Sequence, residues 1–426
     1  MMFQKKENLK ILLFLIPLSY IIGIALTEFF VFVSIIFFII FNKDKSLFLD
    51  SKIIFLLLFS LYIALNSYLQ ITGRSEDLLL PSLFHFRFII FSISIFYLCK
   101  IFEDFKEKKL FYLFIFSLSI LLIDSIFQFF NGSNSLGYAI ISGRISSFFK
   151  DELILGSFLL RLLPIILWFI FFLNIDLKKN IFYSITFFSL YLISIYLSGE
   201  RTSFFLALIL IFTIFCVIKV LRKILSYSIL IFVLFATSIS YFKIGNADLT
   251  DRMFIRTFNQ MTDNHINTSE DKDINLNSIS KNLKIYSSDH EGHLKLALKL
   301  FNTNQIFGVG PQGFRYYCRG VEYNPKVGIC STHPHNILIQ IISELGLIGL
   351  TFYILAGVFV LFNFFKLIFD KKYQNQYLSF YSITLGLIIN LFPFVPGGNF
   401  FNNWISIILY YNIGFYLYSY KKCILK

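Results

Sequence analysis

Apolar residues arrive along the chain in blocks of roughly 16 to 24, separated by short charged stretches. An α-helix needs about 20 apolar residues to cross a hydrocarbon core about 30 Å thick. The blocks predict spans near residues 10–26, 28–41, 53–71, 83–101, 110–130, 153–173, 181–198, 202–221, 225–243, 346–368, 377–395 and 401–419. In lipid, every backbone group of such a run must be satisfied within its own segment, so the runs are helices. The first block has no small-residue cleavage site behind it and a second span follows almost at once, so it reads as a span and not as a signal peptide. The expected fold class is all-α: a polytopic membrane protein of about twelve transmembrane helices with one large loop containing amphipathic helices.

Composition agrees with the pattern. The 426 residues are 57% hydrophobic and 15% charged, against about 45 to 50% and about 25% in soluble chains. A net charge of +13 would suggest nucleic acid in a soluble protein. Here the lysines sit in short loops between apolar blocks, which points to lipid topology and to no nucleic-acid partner. Lys5, Lys6 and Lys10; Lys43, Lys45 and Lys52; Lys106, Lys108 and Lys109; Lys178 and Lys179; Lys219, Arg222 and Lys223; Lys371 and Lys372; and Lys421, Lys422 and Lys426 mark alternate loops. These loops are expected on the cytoplasmic side with both termini, leaving the opposite loops in the periplasm of a Gram-negative cell, the protein lying in its inner membrane.

Three regions follow: residues 1–243 with about nine spans, a periplasmic loop over 244–335, and 336–426 with a surface helix and about three spans. In the loop, 244–289 is rich in Asn, Asp, Ser and Lys and is expected to bury little and to be mobile, whereas 290–335 is expected to fold. Leu294, Ala297, Leu298 and Phe301 recur at helical spacing there, opposite Lys295 and Lys299.

Two strings on the outer side carry candidate chemistry. THPHNILIQIISELGLIGL, from Thr332 to Leu350, places His335 and Asn336 at the start of a helix behind Pro334. A neutral histidine there can take a proton from a hydroxyl, although the same residue could merely cap the helix, and His333 reads as structural. SGERTSFF, from Ser198 to Phe205, puts Arg201 at a helix N-terminus in a tight turn, where the backbone already favours an anion. A guanidinium fork there suits the phosphate of a lipid carrier, the alternative being a topological charge paired with Glu200. His85, Arg87, Asp124, Gln128, Arg144 and Arg161 lie within or beside outer span ends, and charges at that depth usually face a wet cavity.

Two other patterns are weaker. Gly308, Gly310 and Gly313 fit G-x-G-x-x-G, but no strand precedes them and Pro311 interrupts, so they form a turn. His290, His293, His333 and His335 have spacings that zinc could use, yet no acidic or Cys ligand sits beside them, and no metal is expected. Of five cysteines only Cys318 and Cys330 share the outer loop; an oxidising compartment would join them, closing a loop of about a dozen residues worth about 3 kcal/mol, where otherwise two free thiols remain.

GERTSFF, the amphipathic helix running into FGVGPQGFR, and HPHNILIQIISELGLIGL together resemble the bacterial O-antigen ligase and O-antigen polymerase superfamily, over about Asp124 to Leu350. The resemblance implies a membrane glycosyltransferase acting on an undecaprenyl diphosphate-linked glycan, with no metal or other cofactor. The acceptor would be lipid A-core for a ligase or another lipid-linked glycan for a polymerase. It implies His335 as general base and Arg201 on the diphosphate; beside it, the polar groups at the outer face make Arg144 and His290 candidate further contacts, with Asp124, Gln128, Arg87, Arg161, His333 and Asn336 in support. Many members carry an arginine about twenty residues before the G-V-G turn; this chain has His290 there, leaving the second diphosphate contact to His290, Arg256 or Arg315. A transporter would also have about twelve spans, but transporters show paired halves and midplane breaks, and here the polar residues gather at one face.

Overall fold

The computed structural model describes residues 8–42, 45–70, 82–242, 249, 251–255, 288–320, 330–369 and 375–424. Among them there is no sheet, only two isolated bridges in the turn after residue 131. Helices dominate: α1 (Leu12–Ile22), α2 (Ile24–Phe41), α3 (Ser51–Leu69), α4 (Phe86–Asp104), α5 (Lys108–Asn131), α6 (Leu155–Phe172), α7 (Ile181–Leu197), α8 (Arg201–Val217), α9 (Arg222–Phe242), α10 (Ser288–Thr303), α11 (Gly313–Cys318), α12 (Ile337–Phe369), α13 (Asn375–Asn390) and α14 (Asn403–Ile424). Each predicted apolar block falls on one of these helices. By length and composition six of them, counting the short 3-10 turn before α9 with it, are apolar enough to cross a membrane.

The break between the first two blocks lies at Gly23, a few residues earlier than expected. The surface helix and the tenth span are one element, α12, kinked at Gly346. The polar stretch 244–289 was expected to bury little, yet Leu249 and Met253 within it are buried. They supply the apolar anchor that the surrounding Asn and Asp obscured. Arg256 and most of that stretch lie outside the described residues.

Burial separates the centre from the rim. In α6, 94% of the span is buried, whereas the other five crossing candidates are 22 to 39% buried. A helix apolar all round and buried all round is central. Accordingly α6 packs along α13, and α4 along α14. The rim helices expose Phe116, Phe212 and Phe362, a surface suited to lipid tails and not to water.

Polar contacts mark the two ends of the bundle. At one end Lys10 pairs with Glu107, Lys422 with Glu103, and Lys52 lies over the Tyr420 ring. The lysine-bearing loops therefore meet. At the other end the segments around 131–154, 199–201, 304–310, 330–336 and 393–400 converge, and the candidate chemistry lies there.

Candidate functional site

The site is built on the kink in α12. At Gly346 the backbone leaves helical geometry (φ 63°, ψ −159°), which frees peptide groups on either side. Val309 and Gly310 donate their N–H groups to the carbonyls of Ser343 and Glu344, and Leu347 donates to Gln305, all at 2.8 to 2.9 Å. The Gly308 to Gly313 string is thus a turn clamped on the kink. A Cβ at Gly308 would lie 2.5 Å from the Glu344 carbonyl carbon, and one at Gly346 2.4 Å from the Ile306 oxygen, so both must be glycine. One turn earlier, buried Glu344 accepts from Phe314 N–H (3.0 Å) and from the Gln340 amide (3.0 Å), which seats α11 against α12.

The HPHN string sits on this platform. The helix starts at Ile337, two residues later than His335, because Asn336 supplies the cap: its Oδ1 accepts from Ile339 N–H at 3.0 Å. Its Nδ2 donates to the Pro393 carbonyl at 2.7 Å, and Gly397 N–H donates to the His335 carbonyl at 2.7 Å. These bonds hold His335 in the left-handed region at φ 54°, a conformation that persists where the surroundings enforce it.

The two histidines differ in what their nitrogens face. His333 Nε2 lies 3.2 Å from the Gly397 carbonyl, which can only accept, so that nitrogen carries the proton; Nδ1 then accepts from Thr332 Oγ1 at 3.0 Å. Both of its nitrogens are used by the protein. Among the described residues the His335 ring has one hydrogen bond, between Nε2 and Ser331 Oγ at 2.8 Å, and it lines the cavity. Burial pushes its pKa down to about 3, aided by neighbouring His333, His290 and His293. His333 is likewise lowered, by burial, to about 4. Both rings are neutral near pH 7.

A cavity of about 640 Å³ opens beside His335. Among the described residues, Arg144, Arg161, Arg201, Arg252, Glu200 and His290 line it with His335. Arg201 begins α8. Glu200 stands just before it. That carboxylate accepts from Gly156 N–H (2.9 Å) and Ser203 Oγ (3.1 Å) and stands 3.7 Å from Arg144. Burial raises the Glu200 pKa, against the opposing pull of Arg144. Arg144 also donates to the Leu153 carbonyl at 2.6 Å, and burial lowers its pKa. Arg161 projects from central α6 with its Nη1 on the Ser157 carbonyl (3.2 Å). Among the described residues, four guanidinium groups and one carboxylate thus line the cavity.

Arg252 was not foreseen. It reaches the cavity from residues 251–255 and donates to the Gly199 carbonyl (3.2 Å) and the Ser142 carbonyl (3.3 Å). Its only sequence signal is an arginine beside Met253 and Phe254 in a polar stretch. His290 does line the cavity, with its ring 5.2 Å from that of His335; Arg315 does not. His293 stands 5.3 Å from His335 and His333 4.2 Å, ring to ring. Among the described residues no group of three or more His, Cys, Asp or Glu has the arrangement to hold a metal ion.

Three of the expected supporting groups lie elsewhere. Asp124 accepts from Ser135 N–H (2.9 Å) and Ser147 Oγ (2.5 Å), and Gln128 takes Ser147 N–H (2.6 Å) and donates to the Tyr138 carbonyl (3.0 Å). Both hold the loop after α5, and neither lines the cavity. Arg87 pairs with Glu28 at 3.2 Å and donates to Asn403 at 3.0 Å, joining α4 to α2 and α14. Nearby His85 is buried against Tyr410. Cys318 and Cys330 are bonded, with Cα atoms 5.5 Å apart.

The apolar helices, the lipid-suited rim and the arginine-lined cavity at one end fit a multi-pass membrane protein. Residues 186–354 match the family described as O-antigen ligase, a stretch holding Arg201, Arg252, His290 and His335. The match supports a place in the O-antigen ligase and O-antigen polymerase superfamily and suggests a glycosyltransferase-type enzyme. No curated protein matches it.

Proposed function

We propose that the protein transfers a glycan from undecaprenyl diphosphate to an acceptor hydroxyl, as an O-antigen ligase acting on lipid A-core. The observation that carries this reading is the meeting of one accessible neutral histidine and four arginines in a single cavity. The acceptor oxygen attacks the anomeric carbon opposite the diphosphate and gives its proton to His335. The bond from that carbon to the diphosphate breaks, its electron pair leaving on the phosphate oxygen, and the anomeric centre inverts. Arg201 and Arg252 lie at the turn before α8 and take the growing charge, with Arg144, Arg161 and His290 on the cavity wall. Arg252 fills the role that the departure at His290 left open.

The cavity end lies opposite the lysine-bearing loops, so the reading places the reaction in the periplasm, with both termini cytoplasmic and about twelve spans in the inner membrane. A polymerase using a second lipid-linked glycan as acceptor is the alternative within the family. Incubating purified protein with a lipid diphosphate-linked glycan and each acceptor in turn separates them on a gel. One discrete shifted band is expected; a ladder means polymerase, and no transfer to either acceptor overturns the reading.

General base catalysis contributes roughly 10² to 10⁴ in rate. His335→Ala is therefore expected to lose about that much while donor binding persists, and EDTA to leave the native rate unchanged. Were the histidines to hold zinc instead, His333→Ala and His290→Ala would be as damaging as His335→Ala and the chelator would inactivate.

A further inference from the structure

The base has a neighbour that the proposed reaction does not yet use. Ser331 Oγ is 2.8 Å from His335 Nε2, while Nδ1 of that ring takes no hydrogen bond from any described residue. A neutral imidazole has one N–H and one lone pair, so whichever nitrogen bears the proton decides where the ring can act as a base. If Ser331 accepts from Nε2–H, the lone pair is on Nδ1, the nitrogen that no described residue contacts by a hydrogen bond. If Ser331 donates instead, Nδ1 carries the proton and cannot take another.

Ser331 follows Cys330, which is bonded to Cys318 at the end of α11. That helix is in turn fixed on α12 through Phe314 and Glu344. Covalent and hydrogen bonds thus run from the rigid kink region to the hydroxyl beside the base.

We propose that Ser331 is a positioning residue that accepts the Nε2–H of His335 and leaves Nδ1 to take the acceptor's proton, and that the Cys318–Cys330 bridge holds Ser331 in place. This rests on the reading of His335 as the base. During transfer the proton moves from the acceptor hydroxyl to Nδ1, giving an imidazolium that still donates Nε2–H to Ser331. The charged and titratable groups around the ring are His333, His290, His293 and, across the cavity, Arg144, Arg161, Arg201, Arg252 and Glu200. The Nε2–H hydrogen bond goes to Ser331.

The tautomer is read directly in protein labelled with ¹⁵N-histidine, using His335→Ala to assign the signal. An unprotonated Nδ1 is expected in the native protein and a mixture of tautomers in Ser331→Ala. A native ring protonated on Nδ1, or one unchanged by the substitution, overturns the proposal. Turnover gives the second readout. Ser331→Ala should lower kcat roughly 10- to 100-fold, the effect of removing a histidine's orienting partner, with donor KM unchanged. Ser331→Thr should restore it. The double substitution Cys318→Ser with Cys330→Ser should match Ser331→Ala and add nothing to it; additive losses would refute the anchoring. If the tautomer shifts as expected while His335→Ala remains active, the base assignment fails and the placement of Ser331 stands.

Discussion

At the residue scale the site separates groups that contact the protein from groups that face the cavity. His335 and Arg201 were legible in the sequence because each stands at a helix start beside a distinctive string. Asp124, Gln128 and Arg87 looked equally functional, since a polar group near a span end is costly unless used. They are used, but by backbone groups and by Glu28. Arg252 was not legible, because nothing in the order of residues says that it closes onto Gly199. Arg201→Lys should lose most of the transfer rate although its charge is kept, because an ammonium cannot replace a bidentate fork on a diphosphate. Near-native turnover in a donor-saturated assay would remove Arg201 from that role. Acid dependence follows from the depressed His335 pKa. The neutral base is present above about 3 and lost below it, so kcat/KM should show no histidine limb between about pH 8 and pH 5. A limb centred near 6.5 would mean that the acting histidine is solvated.

At the element scale the kink of α12 organises the site. Its pairing with the turn at Gly308 joins two strings that are about forty residues apart in the chain, and each was visible as a glycine pattern without its partner. Gly346→Ala combines a positive φ with a Cβ 2.4 Å from a carbonyl oxygen. A strained φ alone costs about 1 to 3 kcal/mol, so the melting midpoint in detergent should fall by several degrees, with loss of activity. A native melting curve would show that the two segments can separate without consequence. Helix existence was the most legible feature, since apolar run length decides it in lipid. The end of the first helix at Gly23 and the late start of α12 at Ile337 were set by local backbone geometry and by the Asn336 cap.

At the scale of the whole molecule, alternating lysine loops predict which ends of the helices share a side. In a background with Cys99, Cys216 and Cys423 replaced by serine, Leu136→Cys in intact cells should react with an impermeant thiol reagent. Lys178→Cys should react only after the membrane is opened. The reverse pattern would invert the proposed topology. The sequence by itself determined that the chain is helical, that its helices are built for lipid, and which family its strings resemble. Each of these depends on residues close together: run length, loop charge, contiguous motifs. The tertiary structure decided what no local pattern encodes: that α6 is the buried centre, that Arg144, Arg161, Arg201 and Arg252 line one cavity with His335, and that Ser331 meets the His335 ring. Those facts depend on which helices pack together. In a bundle whose helices are all apolar, packing is chosen by side-chain fit and not by hydrophobic pattern, so the order of residues does not display it.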